Sequence, residues 1–176
     1  MSLALILTLA QVSADPGAVK ARETAYARIS LAEKIAADSD LIRAIKAKNA
    51  AAETDADIQR KDKEWQGNAR HPLRKDLIQN VCAARMKTLL SSDAIIVEAF
   101  LMDAKGALVC ATHETSDYWQ GDEAKWQKTF HEGKKVFLDD PALDASTGLY
   151  AVQLSALVSD AGVKIGALTL TLKVPR

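Results

Sequence analysis

Aromatic side chains are scarce in this sequence: three Trp, three Tyr and three Phe among 176 residues. Cysteine is scarcer, with two, Cys82 and Cys110, and neither sits in a CxxC or CxxCH arrangement, so a zinc ribbon or covalent haem attachment is not supported. The three histidines, His71, His113 and His131, show no HExxH spacing, and the chain has no GxSxG elbow and no Gly-rich phosphate loop. Cys110 with His113 is the best nucleophile–base pair on offer, but three residues apart on one strand the two point to opposite faces. No enzyme is indicated. An excess of one charge is missing too: 23 Lys and Arg balance 23 Asp and Glu, so there is no basic field to attract nucleic acid or an anionic membrane. The longest apolar run, SLALILTLA near the start, is far too short to span a bilayer.

That run has the length of a signal-peptide core. Val12-Ser13-Ala14 follows it and fits the small-residue rule at a cleavage site, although no Lys or Arg precedes the run. Residues 1–14 are therefore expected to be a signal peptide and the product a free periplasmic protein. The alternative is a short amphipathic or buried helix opening a cytosolic domain. The length fits one domain, here residues 15–176. In an oxidising compartment the two cysteines can pair, yet one falls in a helical pattern and the other in a strand pattern. Nothing in the sequence brings them together, and two small buried residues is the plain expectation.

The chain divides into a helical region, residues 15–92, and a strand-rich region, residues 93–176. Apolar positions recur at helical spacing from Ala25 to Ile45. Asp15-Pro16, Asp38 and Thr54 are expected to cap helices, and Gly67-Asn68 to stop one. A further helix is expected from about Pro72 to Leu90, with Leu73, Leu77, Val81, Met86, Leu89 and Leu90 as its buried stripe. After Ser91 the period changes to two. A hairpin turning at residues 103–106, a short strand at 135–139, and a second hairpin turning at 160–162 give five antiparallel strands. The fold class is α+β, with long N-terminal helices packed on a five-stranded antiparallel sheet.

Strand parity sharpens this. Tyr150, Val152, Leu154 and Ala156 alternate with Ala151, Gln153 and Ser155; Leu168, Leu170 and Leu172 alternate with Ala167, Thr169 and Thr171. The greasy face suits the long helices. The other face is expected to lie under the only long connection, residues 112–136, enclosing a space for a ligand.

That connection holds most of the scarce rings. TSDYWQGDEAKWQKTF carries Tyr118, Trp119, Trp126 and Phe130 among dense charges. Four stretches stand in order: an Asp-x-x-Gly turn at 103–106, S-D-x-x-Q-G-D-E-x-x-W at 116–126, D-x-x-T-G-x-Y-x-V-x-L-S at 144–155, and I-G-x-L-x-L at 165–170. Together they resemble the Cache-type sensor domains, PAS-like extracytoplasmic modules also called PDC domains. The resemblance implies sensing rather than catalysis, with a small metabolite (amino acid, amine or organic acid) held between sheet and covering loop. It implies no cofactor, although a haem sensor using His113 is a lesser alternative. It also implies a membrane-bound receptor or kinase as partner, with a homodimer through the N-terminal helices as a further expectation. A scaffold that binds no small ligand is the other reading.

The ligand-binding candidates are Tyr118, Trp119, Trp126, Asp139, Asp140, Tyr150 and Gln153. Each has a structural reading beside it. The rings of Tyr118 and Trp119 pin a loop to the core as readily as they line a pocket. Trp126 and Phe130, four apart, share one helix face. Asp122 is expected to cap that short helix, Lys125 to be solvated, and Asp139-Asp140 either to hold an ammonium group or to be a solvated turn.

Overall fold

The computed structural model describes residues 15–144 and 148–175. The expected signal peptide lies outside them, as do residues 145–147 of the third motif stretch. Helix α1 (Pro16–Tyr26) starts where Asp15 accepts from the Gly17 N–H at 2.8 Å, and proline occupies its first turn. Helices α2 (Ile29–Ala36) and α3 (Ser39–Ala50) follow, the latter capped by Asp38, which accepts from the backbone of Asp40 and Leu41. Arg85 also donates to Asp38, and this charged hydrogen bond, outweighing partial burial, holds the carboxyl below its ordinary range. Thr54 caps α4 (Asp55–Gly67) as expected.

The expected helix from Pro72 to Leu90 is two helices, α5 (Pro72–Gln79) and α6 (Val81–Leu90). Asn80 divides them. Its backbone is extended, its side-chain oxygen accepts from the Ala83 N–H at 2.9 Å, and its amide donates to the Val109 carbonyl at 3.1 Å. The new start resets the helical phase, which is why Val81, expected in the buried stripe, is 82% exposed.

Strands β1 (Ile96–Met102), β2 (Leu108–Ala111), β3 (Val136–Leu138), β4 (Ala142–Asp144), β5 (Leu149–Asp160) and β6 (Val163–Pro175) form one antiparallel sheet in the order β2-β1-β6-β5-β3, with β4 also on β5. That is one strand more than the sequence indicated. β3 and β4 lie on the same edge of β5, against residues 154–156 and 149–151, and Pro141, which has no N–H to give, separates them. Within the 112–136 connection, ahead of β3, runs a short helix α7 (Ala124–Trp126) continued by a π turn, Gln127–His131.

Parity assigns the faces correctly. Leu154 pairs with Leu170 and Ser155 with Thr169 across β5 and β6. The first set meets Ala21, Ala25, Ile35, Leu41, Ile45 and Met86 in the main core, so α1–α3 and α6 cover the greasy face. The opposite face carries a second apolar cluster that parity on β5 and β6 did not reveal. Phe100, Met102, Leu108 and Ala167 meet Ile58 and Trp65 of α4, Leu77 of α5 and the ring of Tyr118. The connection therefore shares this face with α4 and α5 instead of covering it alone. Cys82 of α6 and Cys110 of β2 are joined by a disulfide, with Cα atoms 5.9 Å apart. The two are buried, as expected, and they do meet.

Candidate ligand-binding site

The 112–136 connection is fixed at both ends of its aromatic stretch. Gly106, at φ +81°, closes the β1–β2 turn, and a Cβ there would stand 2.4 Å from the Cα of Gly121. The Asp-x-x-Gly and Q-G-D-E stretches are thus the two halves of one close backbone contact. Asp103 accepts from the N–H groups of Lys105 and Ala107 at 2.8 and 2.9 Å, shaping the turn. Segment 118–120 then runs beside 106–108, with Leu108 donating to the Tyr118 carbonyl and Gln120 to that of Gly106.

A buried carboxylate that sequence reading passed over fastens the other side. Asp62 of α4 accepts from the backbone N–H groups of both Tyr118 and Trp119, each at 2.9 Å. Trp65, one turn further along, donates from its indole to the Thr115 carbonyl at 3.1 Å. The signal that could have found Asp62 is weak, since a carboxylate in a charged helix usually faces solvent.

Tyr118 is fully buried. Its hydroxyl donates to Glu53 at 2.9 Å and accepts from Lys48 at 2.7 Å, while Lys61 closes on the other Glu53 oxygen. Burial opposes the charge on Glu53, but hydrogen bonds from Lys48, Lys61 and Tyr118 outweigh it and hold the carboxyl below its ordinary range. Burial, then Glu53, pushes the Tyr118 phenol far above its ordinary value, so it stays a donor. Tyr118 is an anchor. Because the Glu53 carboxyl is depressed on folding, its contribution is present above the ordinary carboxylate range and is lost as pH falls through the depressed value. Asp103, raised chiefly by burial, acts in the opposite sense. Glu53→Gln is expected to lower stability at neutral pH by about 1–3 kcal/mol and to flatten the fall in melting temperature between about pH 5 and pH 2. A variant that melts with the wild-type pH profile would remove Glu53 from this role.

The remaining candidates divide among separate places. Gln153 lies on the small-residue face, at a pocket of about 110 Å³ lined also by Glu98, Phe100, Glu114, Ser116, Gln120 and Lys125. Trp119 and Trp126 line a different cleft, of about 510 Å³, between the β1–β2 turn and α4. Trp126 and Phe130 stack with centroids 5.0 Å apart, as their spacing implied. Tyr150 lies on the opposite, helix-facing side of the sheet, buried in the main core with its hydroxyl on Asp15 at 2.5 Å. It does not reach the pocket. Asp139 accepts from the Asp140 N–H at 2.8 Å, and exposed Asp140 pairs with Arg22 at 2.6 Å, so both serve the edge of the sheet. Exposed His113 has its ring nitrogen on the Thr112 hydroxyl.

Two expectations about α7 need correction. Asp122 does not cap it: Glu123 holds the cap position, and no side chain caps that end. Lys125 is not solvated but 6% exposed, under the connection, with its ammonium 2.5 Å from Glu123 and 5.2 Å from the centroid of the Phe100 ring. Thr129, in the π turn after α7, donates to the Lys125 carbonyl at 2.6 Å.

No family model and no curated protein matches the sequence. Solved structures do match. The extracellular domain of the putative histidine kinase vpHK1S-Z8 superposes at TM-score 0.50 with 7% identity, covering 89% of this chain and 53% of that one. A domain of a putative sensory box/GGDEF family protein from Vibrio parahaemolyticus gives the same score and identity, covering 89% of this chain and 56% of that one. The V. cholerae DctB histidine kinase sensor domain matches at 0.47 and 13%, covering 90% and 50%. At this identity the likeness shows the fold alone: helices packed on an antiparallel sheet, shared with these domains. The chain spans about half the length of the solved domains it matches. The ~110 Å³ pocket is the space between sheet and connection, and the wider cleft lies outside it, sharing no lining residue.

Proposed function

We propose that the protein is a periplasmic ligand-binding module of sensor type, which holds a small amino acid, amine or organic acid between the sheet and the 112–136 connection. The observation that carries this is Lys125, a buried ammonium at a pocket lined otherwise by two carboxylates, two amides, two hydroxyls and the Phe100 ring. A cation is costly to bury in an apolar setting; here it is paired with the half-exposed Glu123 and can share its remaining hydrogens with a ligand carboxylate. Glu98 and Glu114 offer the opposite charge for an ammonium group. The volume, about 110 Å³, suits a small guest. Gln153 and Gln120 supply neutral donors and acceptors between the charged ends.

A thermal-shift screen of small amino acids, amines and organic acids tests this. A true ligand at about a hundred times its dissociation constant is expected to add about 2.7 kcal/mol. Lys125→Met, which keeps the methylene packing on Phe100, is expected to fold and to lose that shift. If no metabolite raises the melting temperature, the scaffold reading for a membrane-bound receptor or kinase takes over. A ligand that shifts the wild type and Lys125→Met equally does not bind in this pocket.

The periplasmic placement draws on the disulfide, which suits an oxidising compartment, and on the small-residue site ending at Ala14. Among the described residues no helix is long and apolar enough to cross a membrane. N-terminal sequencing of the secreted protein is expected to begin at Asp15. Recovery of intact Met1 protein from the cytosol would count against export.

A further inference from the structure

Lys125 and Trp126 are neighbours on α7 but line different spaces, the lysine the sheet–loop pocket and the indole the ~510 Å³ cleft. The cleft is walled by Trp119, Trp126, Ile58 and Ala104, with Asp55, Gln59 and Lys105 completing it. Both indole N–H groups are already committed to the β1–β2 turn: Trp119 donates to the Lys105 carbonyl at 2.8 Å and Trp126 to the Asp103 carbonyl at 3.1 Å. They have no hydrogen to give a guest. What remains for a guest is π surface and apolar area, the combination that attracts a cation carrying methyl or methylene groups.

The charges point the same way. Asp55, whose side chain is 87% exposed, accepts from Lys105 at 2.7 Å. An exposed pair of this kind contributes little and is easily exchanged. Lys105 also donates to the Glu53 carbonyl at 2.8 Å, so it keeps a partner when a guest cation takes its place on Asp55. An anionic guest would face Asp55 directly and would have to draw Lys105 from both its acceptors. We infer that this cleft is a second binding site, for an organic ammonium group of the quaternary or methylated kind, seated against Trp119 and Trp126 with its charge toward Asp55. This goes beyond the sheet–loop pocket and does not depend on it, because Lys125 takes no part.

Choline is the probe. Titrated into the full chain, it is expected to move the indole N–H resonances of Trp119 and Trp126 saturably and to leave that of Trp65, buried and bonded to the Thr115 carbonyl. Its neutral carbon isostere, dimethylbutanol, is expected to bind about tenfold more weakly, the worth of a partly desolvated cation–π contact. Asp55→Asn, an exposed change that leaves Thr54 capping α4, is expected to weaken choline several-fold and leave the isostere unchanged. Acetate is expected to move neither resonance. Equal binding of choline and its isostere would show a merely apolar crevice and overturn the proposal. So would choline binding that Asp55→Asn does not weaken, or no movement of either resonance. Binding that is lost in Lys125→Met but kept in Asp55→Asn would place choline in the sheet–loop pocket instead.

Discussion

Trp65→Ala is expected to cost about 3–5 kcal/mol, the usual loss for deleting a fully buried large ring, and to leave the 112–136 connection without its principal support. The indole is 1% exposed and sits 6.2 Å from the Tyr118 ring, centroid to centroid, and the Arg74 guanidinium stacks over it at 4.4 Å. Its N–H is bonded to the Thr115 carbonyl. Truncation therefore removes apolar contact, a hydrogen bond and the platform for a cation in one step. The cavity would open between α4 and the segment that carries Tyr118 and Trp119, so ligand binding should fail in the folded fraction as well. Trp65→Phe separates these effects. It is expected to restore most of the stability and leave the Thr115 carbonyl unpaired. Urea melts of the three proteins measure it, and a Trp65→Ala loss below about 1 kcal/mol, within the range of ordinary surface changes, would mean that the connection does not depend on α4.

Much of this architecture is legible in the sequence because its determinants are local. Asp15, Asp38 and Thr54 cap helices within three residues of themselves. The alternation in β5 and β6 fixes which face each side chain takes, and it already assigns Tyr150 to the helix-facing side, away from Gln153. What is missed depends on partners distant in sequence. Asn80 breaks a continuous helical pattern, and half of its bonding goes to Val109, 29 residues on. Asp62 looks like one more surface carboxylate of a charged helix until the backbone of Tyr118 and Trp119 arrives, 56 and 57 residues away. Lys125 reads as solvated because its burial depends on partners distant in sequence, such as the Phe100 ring of β1. Trp119 and Trp126 line one cleft, and the small-residue face over which the connection was expected to lie holds a different pocket.

The bond between Cys82 and Cys110 is the other contact on which stability leans heavily. It closes a loop of sequence separation 28, linking α6 on one side of the core to β2 at the edge of the sheet. Confining the unfolded chain by a loop of this length is worth about 3–4 kcal/mol in the chain-entropy account. In a protein of this size that corresponds to a melting temperature lower by roughly 10 °C when the bond is absent. The double variant Cys82→Ala with Cys110→Ala is the proper comparison, because it leaves no thiols to mispair and small apolar side chains suit both buried positions. Wild-type protein treated with reductant should melt with the double variant, and untreated protein well above it. Mass analysis after alkylation under denaturing conditions reports whether the bond is present in each sample. Identical melting of the oxidised and reduced forms, with both thiols alkylated in the latter, would show that the α6–β2 contact holds without its crosslink. The expected gap also bears on export. A fold that loses this much on reduction is kept at full stability by an oxidising compartment, and protein retained in the cytosol should carry free thiols and the lower melting temperature.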